Sequence, residues 1–330
     1  MKISCLIPVL NESEDQLIKV LHNLTYGYYV DQLEVILYND GSVYDDGTPK
    51  SLESYDFPSR IKQFLRIIDC PTRFGVGYGF DRMAEVAKGE ILVLMGSDVL
   101  PEKGWYAKVI NSCEDNTLNS CCSVGVQSNN LDINKEGAVS RYGASITWTL
   151  VHADLPKNSP FKDNLDYREI IGCRWASKQS DEPYELDAVY GAYYWCKKEF
   201  YQKIHGFDTE VNNHFHGFSM WGHLEAMISI KTKVYNGRCI MHPNIRAGHI
   251  FARINQDNVD SHRSVREDFH YWNRLWIAHT MLSDELRDEC LNHLKHCLNL
   301  SQAQVWVKHH WKEIQAVRER NKREGKLVLK

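Results

Sequence analysis

The feature that most constrains this chain is a short apolar run that ends in a carboxylate. Ile91 to Met95 is continuously apolar, Gly96 and Ser97 follow, and Asp98 comes next. Such a run is typical of a strand that helices cover on both faces. Gly89, just before it, is expected to end the preceding helix. We therefore expect Asp98 at the carboxyl end of a central strand, the edge at which open α/β sheets bind their ligands.

Strand-like and helix-like segments alternate through most of the chain. The expected strands are Ile3–Ile7, Leu33–Tyr38, one around Ile67–Ile68, Ile91–Met95, Ser123–Val126 and Ile240–Met241. The expected helices are 13–25, one through Phe80–Ala87, Pro101–Cys113, one from Lys198, 221–236 and several beyond residue 260. This alternation, with polar residues at the strand ends, predicts an α/β fold with a mostly parallel central sheet flanked by helices.

The chain lacks an internal repeat or a long linker, which favours one domain over residues 1–257 followed by a helical C-terminal extension over 258–330. Residues 127–185 are rich in Asn, Asp, Lys and Ser and are expected to form an insertion near an acceptor. Residues 251–330 carry 14 Lys and Arg against 11 Asp and Glu, in a chain whose formal net charge is −4. The C-terminal helices are therefore the expected surface for an anionic partner, and they could also support an oligomer.

The lengths of the apolar stretches and the spacing of the cysteines indicate the cellular compartment of the chain. No stretch is apolar over the length of a membrane span. The first residues enter a strand-like segment without the basic and apolar regions of a signal peptide. The ten cysteines form no CxxC pair, which favours reduced thiols over a disulfide framework. We therefore expect a cytoplasmic protein with no transmembrane segment.

Several nucleotide and hydrolase chemistries are excluded because their motifs are missing. No GxGxxG follows the first strand, and GxxxxGK[ST] and GxSxG do not occur. Carboxylates at strand ends and a late histidine remain. Asp98 and His249 would suit Mn²⁺ (or Mg²⁺), which could neutralise a diphosphate. Asp40 could accept hydrogen bonds from a base or ribose. Equally ordinary roles are a helix cap for Asp98, a buried structural histidine for His249 and an Asx turn for Asp40.

The residues resemble a known family in several ordered segments. ISCLIPVLNES at 3–13, NDGS at 39–42, Arg73 with Gly75, and AKGEILVLMGSD ending at Asp98 resemble family 2 glycosyltransferases of the GT-A fold. The later half is similar to polypeptide N-acetylgalactosaminyltransferases. Three segments carry this similarity. Gly191 with KKEFYQKIHGFD resembles the glycine segment of that family, and Trp221-Gly222 with Leu224-Glu225 resembles its WGGEN segment. AGHIF at 247–251 resembles its VGHxF segment. The resemblance covers roughly residues 1–255.

The resemblance implies roles for individual residues. Asp98 and His249 would bind the metal. Residues that would hold the nucleotide are Pro8, Asn11, Asp40, Arg73, Gly75 and Ser97. Glu225, with Asp98, would act in catalysis, and the acceptor side would include Gly191, Trp221 and His223. Two departures stand out, because Gly96 replaces the first acid of the DxD motif and His223-Leu224 shifts the WGGE spacing by one residue.

The predicted function is a metal-dependent transfer of a sugar from a nucleotide sugar, most simply a UDP-sugar, to a hydroxyl on a glycan or protein. The family 2 resemblance suggests inversion at the sugar carbon, and the N-acetylgalactosaminyltransferase resemblance suggests retention. One alternative is a bacteriophage-type DNA glycosyltransferase that acts on hydroxymethylated bases, for which the basic C-terminal helices would bind DNA. Another is a non-catalytic nucleotide-sugar-binding protein, motivated by Gly96.

Overall fold

A computed structural model describes residues 2–126, 140–147, 171–189, 193–211, 214–215, 223–250, 267–294 and 300–328. The strands are β1 Ile3–Val9, β2 Leu33–Asp40, β3 Leu65–Cys70, β4 Ile91–Met95, β5 Val99–Pro101, β6 Thr117–Val126, β7 Ser140–Arg141, β8 Ala144–Thr147, β9 Gly172–Trp175, β10 Tyr184–Leu186, β11 Tyr193–Lys197, β12 Glu210–Val211, β13 His214–Phe215 and β14 Arg238–Ile250. The helices are α1 Glu14–Thr25, α2 Ser59–Lys62, α3 Val76–Val86, α4 Trp105–Ser112, α5 Lys198–Lys203, α6 Leu224–Val234, α7 Glu267–Met281, α8 Asp284–Leu294, α9 Leu300–His309 and α10 Trp311–Arg323.

The central sheet has the strand order β10-β14-β6-β11-β4-β1-β2-β3. Strands β3, β2, β1 and β4 are parallel to one another, as the sequence predicts. Strand β11 runs antiparallel to both β4 and β6, and β14 is parallel to β6. The sheet is therefore mixed, because β11 runs against two parallel sets, β3-β2-β1-β4 and β6-β14, which share one direction.

Apolar side chains on the two faces of the sheet belong to two separate cores. On one face Leu92 and Leu94 pack with α3, α6 and the C-terminal helices. On the other face Val93 packs with α1, α2 and α4. Because successive side chains in a strand point to opposite faces, a continuous apolar run such as β4 is required to fill both cores.

Two predicted strands are longer in the structure than the sequence indicated. Strand β6 begins at Thr117 rather than Ser123, and β14 spans Arg238–Ile250 rather than Ile240–Met241 alone. The polar residue Asn119 is buried within β6, where its amide bonds the carbonyl of Trp195 and the ring of His242. Polar residues that are satisfied in this way break the apolar pattern without ending the strand.

The predicted helix over Pro101–Cys113 is partly wrong. Residues Val99–Pro101 form β5, which pairs with β14, and the helix starts only at Trp105. Proline is tolerated in β5 because this short strand pairs on one side, with β14. The predicted helix over 221–236 is described from Leu224 to Val234.

Gly89 has a different role from the helix stop that the sequence suggested. Helix α3 already ends at Val86, and its cap is Ala87. A β-carbon at Gly89 would lie 2.5 Å from the backbone nitrogen of Ser4 and 2.6 Å from the carbonyl carbon of Ile3. Only glycine therefore allows the chain entering β4 to pass this close to β1.

The C-terminal helices pack on the same core as the sheet. Buried Trp276 and Ile277 of α7 share an apolar cluster with Met227 and Ile228 of α6. Across the ranges that the structure describes, every helix is too short or too polar to cross a bilayer.

Candidate active site

Asp98 and His249 meet at the carboxyl edge of β4. The chain turns after Met95 and enters β5, whose Val99 pairs with His249 of β14. The backbone N–H of Ile250 donates to the carbonyl of Asp98 over 2.8 Å, which fixes this register. Nε2 of His249 lies 3.3 Å from Oδ2 of Asp98, and the two side chains are 23% and 31% exposed. A pairing of two strands thus brings together two side chains that are far apart in the sequence.

This pair fits a divalent cation in ligand type and spacing. Mn²⁺ accepts both carboxylate oxygen and imidazole nitrogen. In an octahedral site with ligand distances of about 2.1 Å, neighbouring ligand atoms lie about 3 Å apart. Within the described ranges, no group of three or more His, Cys, Asp or Glu side chains could hold a metal. Substrate oxygens and water are the further ligands that a cation held by few side chains commonly takes.

Glu12, which was not among the predicted site residues, lies beside this pair. Its carboxylate accepts the N–H of Leu10 and the hydroxyl of Ser97, the residue before Asp98. Burial raises the pKa of Glu12 to about 7, and the nearby charge of Asp98 adds to the rise. Glu12 therefore ties the β1–α1 loop to the turn that carries Asp98, and it can exchange a proton near neutral pH.

Asp40, at the end of β2, organises the loop that contains Arg73 and Gly75. Its Oδ1 accepts the N–H groups of Phe74 over 2.7 Å and of Gly75 over 2.8 Å. Burial raises the pKa of Asp40 to about 6, although these two donors and the Arg73 charge lower it. Asp40 thus holds the entrance to α3 in place.

The remaining residues predicted to hold the nucleotide lie near the same loops. Pro8 lies in β1 opposite Tyr38. Asn11 has a left-handed backbone, with φ of 62°, its N–H donates to Ser42, and its side-chain oxygen accepts the N–H of Val43. The β1–α1 loop and the turn after β2 are therefore joined.

Glu225 and His223 lie at the start of α6. Burial raises the pKa of Glu225 to about 7. Burial also raises the pKa of Tyr194 of β11, and the nearby charge of Glu225 adds to that rise. His223 is the N-cap residue of α6 and has a left-handed backbone. Gly191 and Trp221, the other predicted acceptor-side residues, lie outside the described residues.

The comparisons with known proteins agree with this geometry. The sequence profile of the family described as "Glycosyl transferase family 2" matches residues 4–177, which is more than half of the chain. "Uncharacterized glycosyltransferase YfnE" of Bacillus subtilis (strain 168) is 35% identical over 120 residues, which cover 35% of this chain and 28% of that protein. "Polypeptide N-acetylgalactosaminyltransferase 8" of Drosophila melanogaster is 23% identical over 305 residues, which cover 89% of this chain and 46% of that protein.

The fold is similar to that of a solved glycosyltransferase. The crystal structure of GalNAc-T7 with UDP, GalNAc and Mn²⁺ superposes with a TM-score of 0.54 at 16% identity, over 94% of this chain and 58% of that one. Together with the family match, this confirms the predicted GT-A fold and the resemblance to both groups of glycosyltransferases. The chain spans about a quarter and about half of the lengths of its two curated relatives.

Proposed function

We propose that this chain, which belongs to glycosyl transferase family 2, transfers a sugar from a nucleotide sugar to an acceptor hydroxyl with the help of a divalent cation. The observation that carries the proposal is the 3.3 Å approach of His249 to Asp98 at the carboxyl edge of β4. We propose a UDP-sugar as the donor and Mn²⁺ (or Mg²⁺) as the cofactor. The crystals of GalNAc-T7 with UDP, GalNAc and Mn²⁺ support this choice.

The donor diphosphate would bind between the β4–β5 turn and the loop before α3. Asp98 and His249 would hold the cation, which when bound supplies a Lewis acid that stabilises charge on the diphosphate. Arg73 belongs to this loop, where its charge lowers the pKa of Asp40, and it would add positive charge for the diphosphate. Glu12, through Ser97, would keep the turn that carries Asp98 in position.

Glu225 is the residue best suited to act on the acceptor. A carboxylate whose pKa is raised to about 7 by burial can accept a proton from a hydroxyl at neutral pH. We propose that Glu225 takes this proton as the oxygen attacks the sugar carbon, a role that suits transfer with inversion. If the product retains its configuration, Glu225 would instead hold the acceptor by hydrogen bonds.

A donor screen tests the proposal directly. Purified chain is incubated with UDP- and GDP-sugars with Mn²⁺, with Mg²⁺ or with EDTA, and the released nucleotide is measured. We expect release from at least one UDP-sugar that EDTA abolishes. The chosen donor is then offered with glycans, a protein acceptor and duplex DNA containing hydroxymethylated bases, and the products are analysed by mass spectrometry. Absence of nucleotide release from every donor would favour a binding protein without turnover.

A further inference from the structure

Helix α7 of the C-terminal extension contacts the start of α6, where the predicted acceptor side begins. Nε of Arg274 donates a hydrogen bond to Nε2 of His223 over 3.0 Å. Arg274 is only 5% exposed, and its guanidinium lies 5.5 Å from the centre of the Tyr271 ring, one turn earlier on α7. A guanidinium that is buried, stacked and hydrogen-bonded has a fixed orientation, so its contact with His223 is directional.

His223 has a backbone conformation that few residues with a side chain adopt. Its φ of 59° and ψ of 16° lie in the left-handed region, which is unfavourable for a residue that carries a β-carbon. Because a guanidinium Nε always carries a hydrogen, Nε2 of His223 must accept and the ring must be the neutral Nδ1–H tautomer. The contact with Arg274 therefore fixes both the tautomer and the orientation of the ring.

His223 begins the turn of α6 that carries Glu225. The carbonyl of His223 accepts the N–H of Met227 over 3.0 Å, which closes this first turn, and Glu225 is part of it. Leu224 and Ala226 of the same turn are buried in the core that α7 shares. The core therefore holds the backbone of α6, and the Arg274 contact acts on the orientation of the His223 side chain at its start.

We propose that Arg274 is a positioning residue for the acceptor side of the site. It fixes the orientation of the His223 ring, two residues before Glu225, so that the C-terminal extension completes the acceptor side. This inference rests on the proposed glycosyltransferase function. Strain held by surrounding contacts beside a functional residue is a common arrangement in enzyme sites.

The test compares two buried arginines of the extension. Arg318 of α10 donates to the carbonyls of His279 and Leu282, at the other end of α7, and Arg318→Met is the control. We expect Arg274→Met to lower kcat about tenfold to hundredfold, with the KM for the donor within about twofold of the wild type. Arg318→Met should lower the melting temperature but leave the kcat of the folded enzyme unchanged.

A double-mutant cycle separates positioning from general destabilisation. If Arg274 acts through His223, the double variant of His223→Gly and Arg274→Met should be no slower than the slower single variant. Arg274→Lys, which keeps the charge and is the alternative if Arg274→Met does not fold, should also lower kcat, because it loses the planar guanidinium.

Each result has a defined meaning. A wild-type kcat in Arg274→Met overturns this inference but not the proposed function. A wild-type kcat in Arg274→Lys has the same meaning where Arg274→Met does not fold. Independent, additive effects of the two substitutions in the cycle also overturn this inference. Absence of nucleotide release by the wild type overturns the proposed function and this inference with it.

Discussion

The three carboxylates that we propose for the site differ in their surroundings. Asp98 is 31% exposed and lies beside His249, an arrangement that suits a cation. Burial raises the pKa of both Glu12 and Glu225 to about 7. At the scale of single residues, the proposed site combines one carboxylate suited to metal binding with two that can exchange protons near neutral pH.

Glu225 makes stability and activity respond to pH in opposite directions. The pKa of its carboxyl is raised from 4.5 to about 7 on folding. Between these two values the folded chain binds more protons than the unfolded chain, so the free energy of unfolding falls as pH rises through this window. Glu225→Gln removes that loss, and we expect it to be more stable than the wild type by about 1–2 kcal/mol at pH 8 and equally stable at pH 4.5.

The same substitution should lower kcat about a hundredfold and remove the acidic limb of the pH–rate profile near pH 7. Glu199, exposed in the first turn of α5, provides the control Glu199→Gln. Urea unfolding at the two pH values and a pH–rate profile measure both effects. A Glu225→Gln enzyme with wild-type kcat, or with no gain in stability at pH 8, would contradict the assigned role.

Sequence motifs located some site residues and missed others for a physical reason. Asp98 and His249 follow recognisable local patterns, so the sequence could suggest that they act together. Glu12 was missed because an acidic residue before a helix is typical of an ordinary cap. Its burial, and its contact with Ser97, depend on how the β1–α1 loop packs against the β4–β5 turn, which single-residue patterns do not encode.

At the scale of elements, the chain that enters β4 can pass close to β1 only because residue 89 is a glycine. A methyl group there would lie 2.5 Å from the nitrogen of Ser4. We expect Gly89→Ala to lower the free energy of unfolding by about 3 kcal/mol, because backbone atoms cannot move aside. Gly47→Ala is the control, since its added carbon meets nothing within 4 Å and its φ of +82° costs only about 1 kcal/mol. Equal losses in urea titrations of the two variants would contradict this explanation.

Hydrophobic periodicity predicted most elements, but it did not predict the full length of β6 and β14. The parallel strands β1, β2 and β4 are mostly apolar, so their positions were predicted correctly. Strand β14 contains His242, Pro243 and Asn244, and its register with β6 shifts between His242 and Arg246. This irregularity hides one continuous strand, which the pairing with β6 reveals, and the pairing of the same strand with β5 brings His249 to Asp98.

At the scale of the whole molecule, a buried ionic group joins the C-terminal helices to the rest. Asp208 contacts Lys231 over 2.8 Å and Arg320 of α10 over 2.8 Å, and the side chains of Asp208 and Lys231 are 1% exposed. Because α7 also shares the core of α6, we expect the chain to unfold in one transition. Far-UV circular dichroism and tryptophan fluorescence should coincide, since tryptophans lie in both parts of the chain.

Removal of the Arg320 charge should weaken the whole molecule. We expect Arg320→Met to lower the free energy of unfolding by about 2–3 kcal/mol, because the buried carboxylate of Asp208 would lose one of its two cationic partners. Arg323→Met, at an exposed position of the same helix, should change it by less than about 0.5 kcal/mol. Separate transitions for the two probes, or equal effects of the two substitutions, would show that the extension is an independent unit.

The binding of UDP with and without Mn²⁺ tests the pairing of Asp98 with His249 most directly. In calorimetric titrations we expect Mn²⁺ to tighten UDP binding to the wild type by about tenfold or more. Asp115→Ala, at an exposed position before β6, should behave in the same way. Asp98→Ala and His249→Ala should each bind UDP with the same affinity whether or not Mn²⁺ is present. Metal-dependent binding that survives in either of these two variants would contradict the claim that the pair holds the cation.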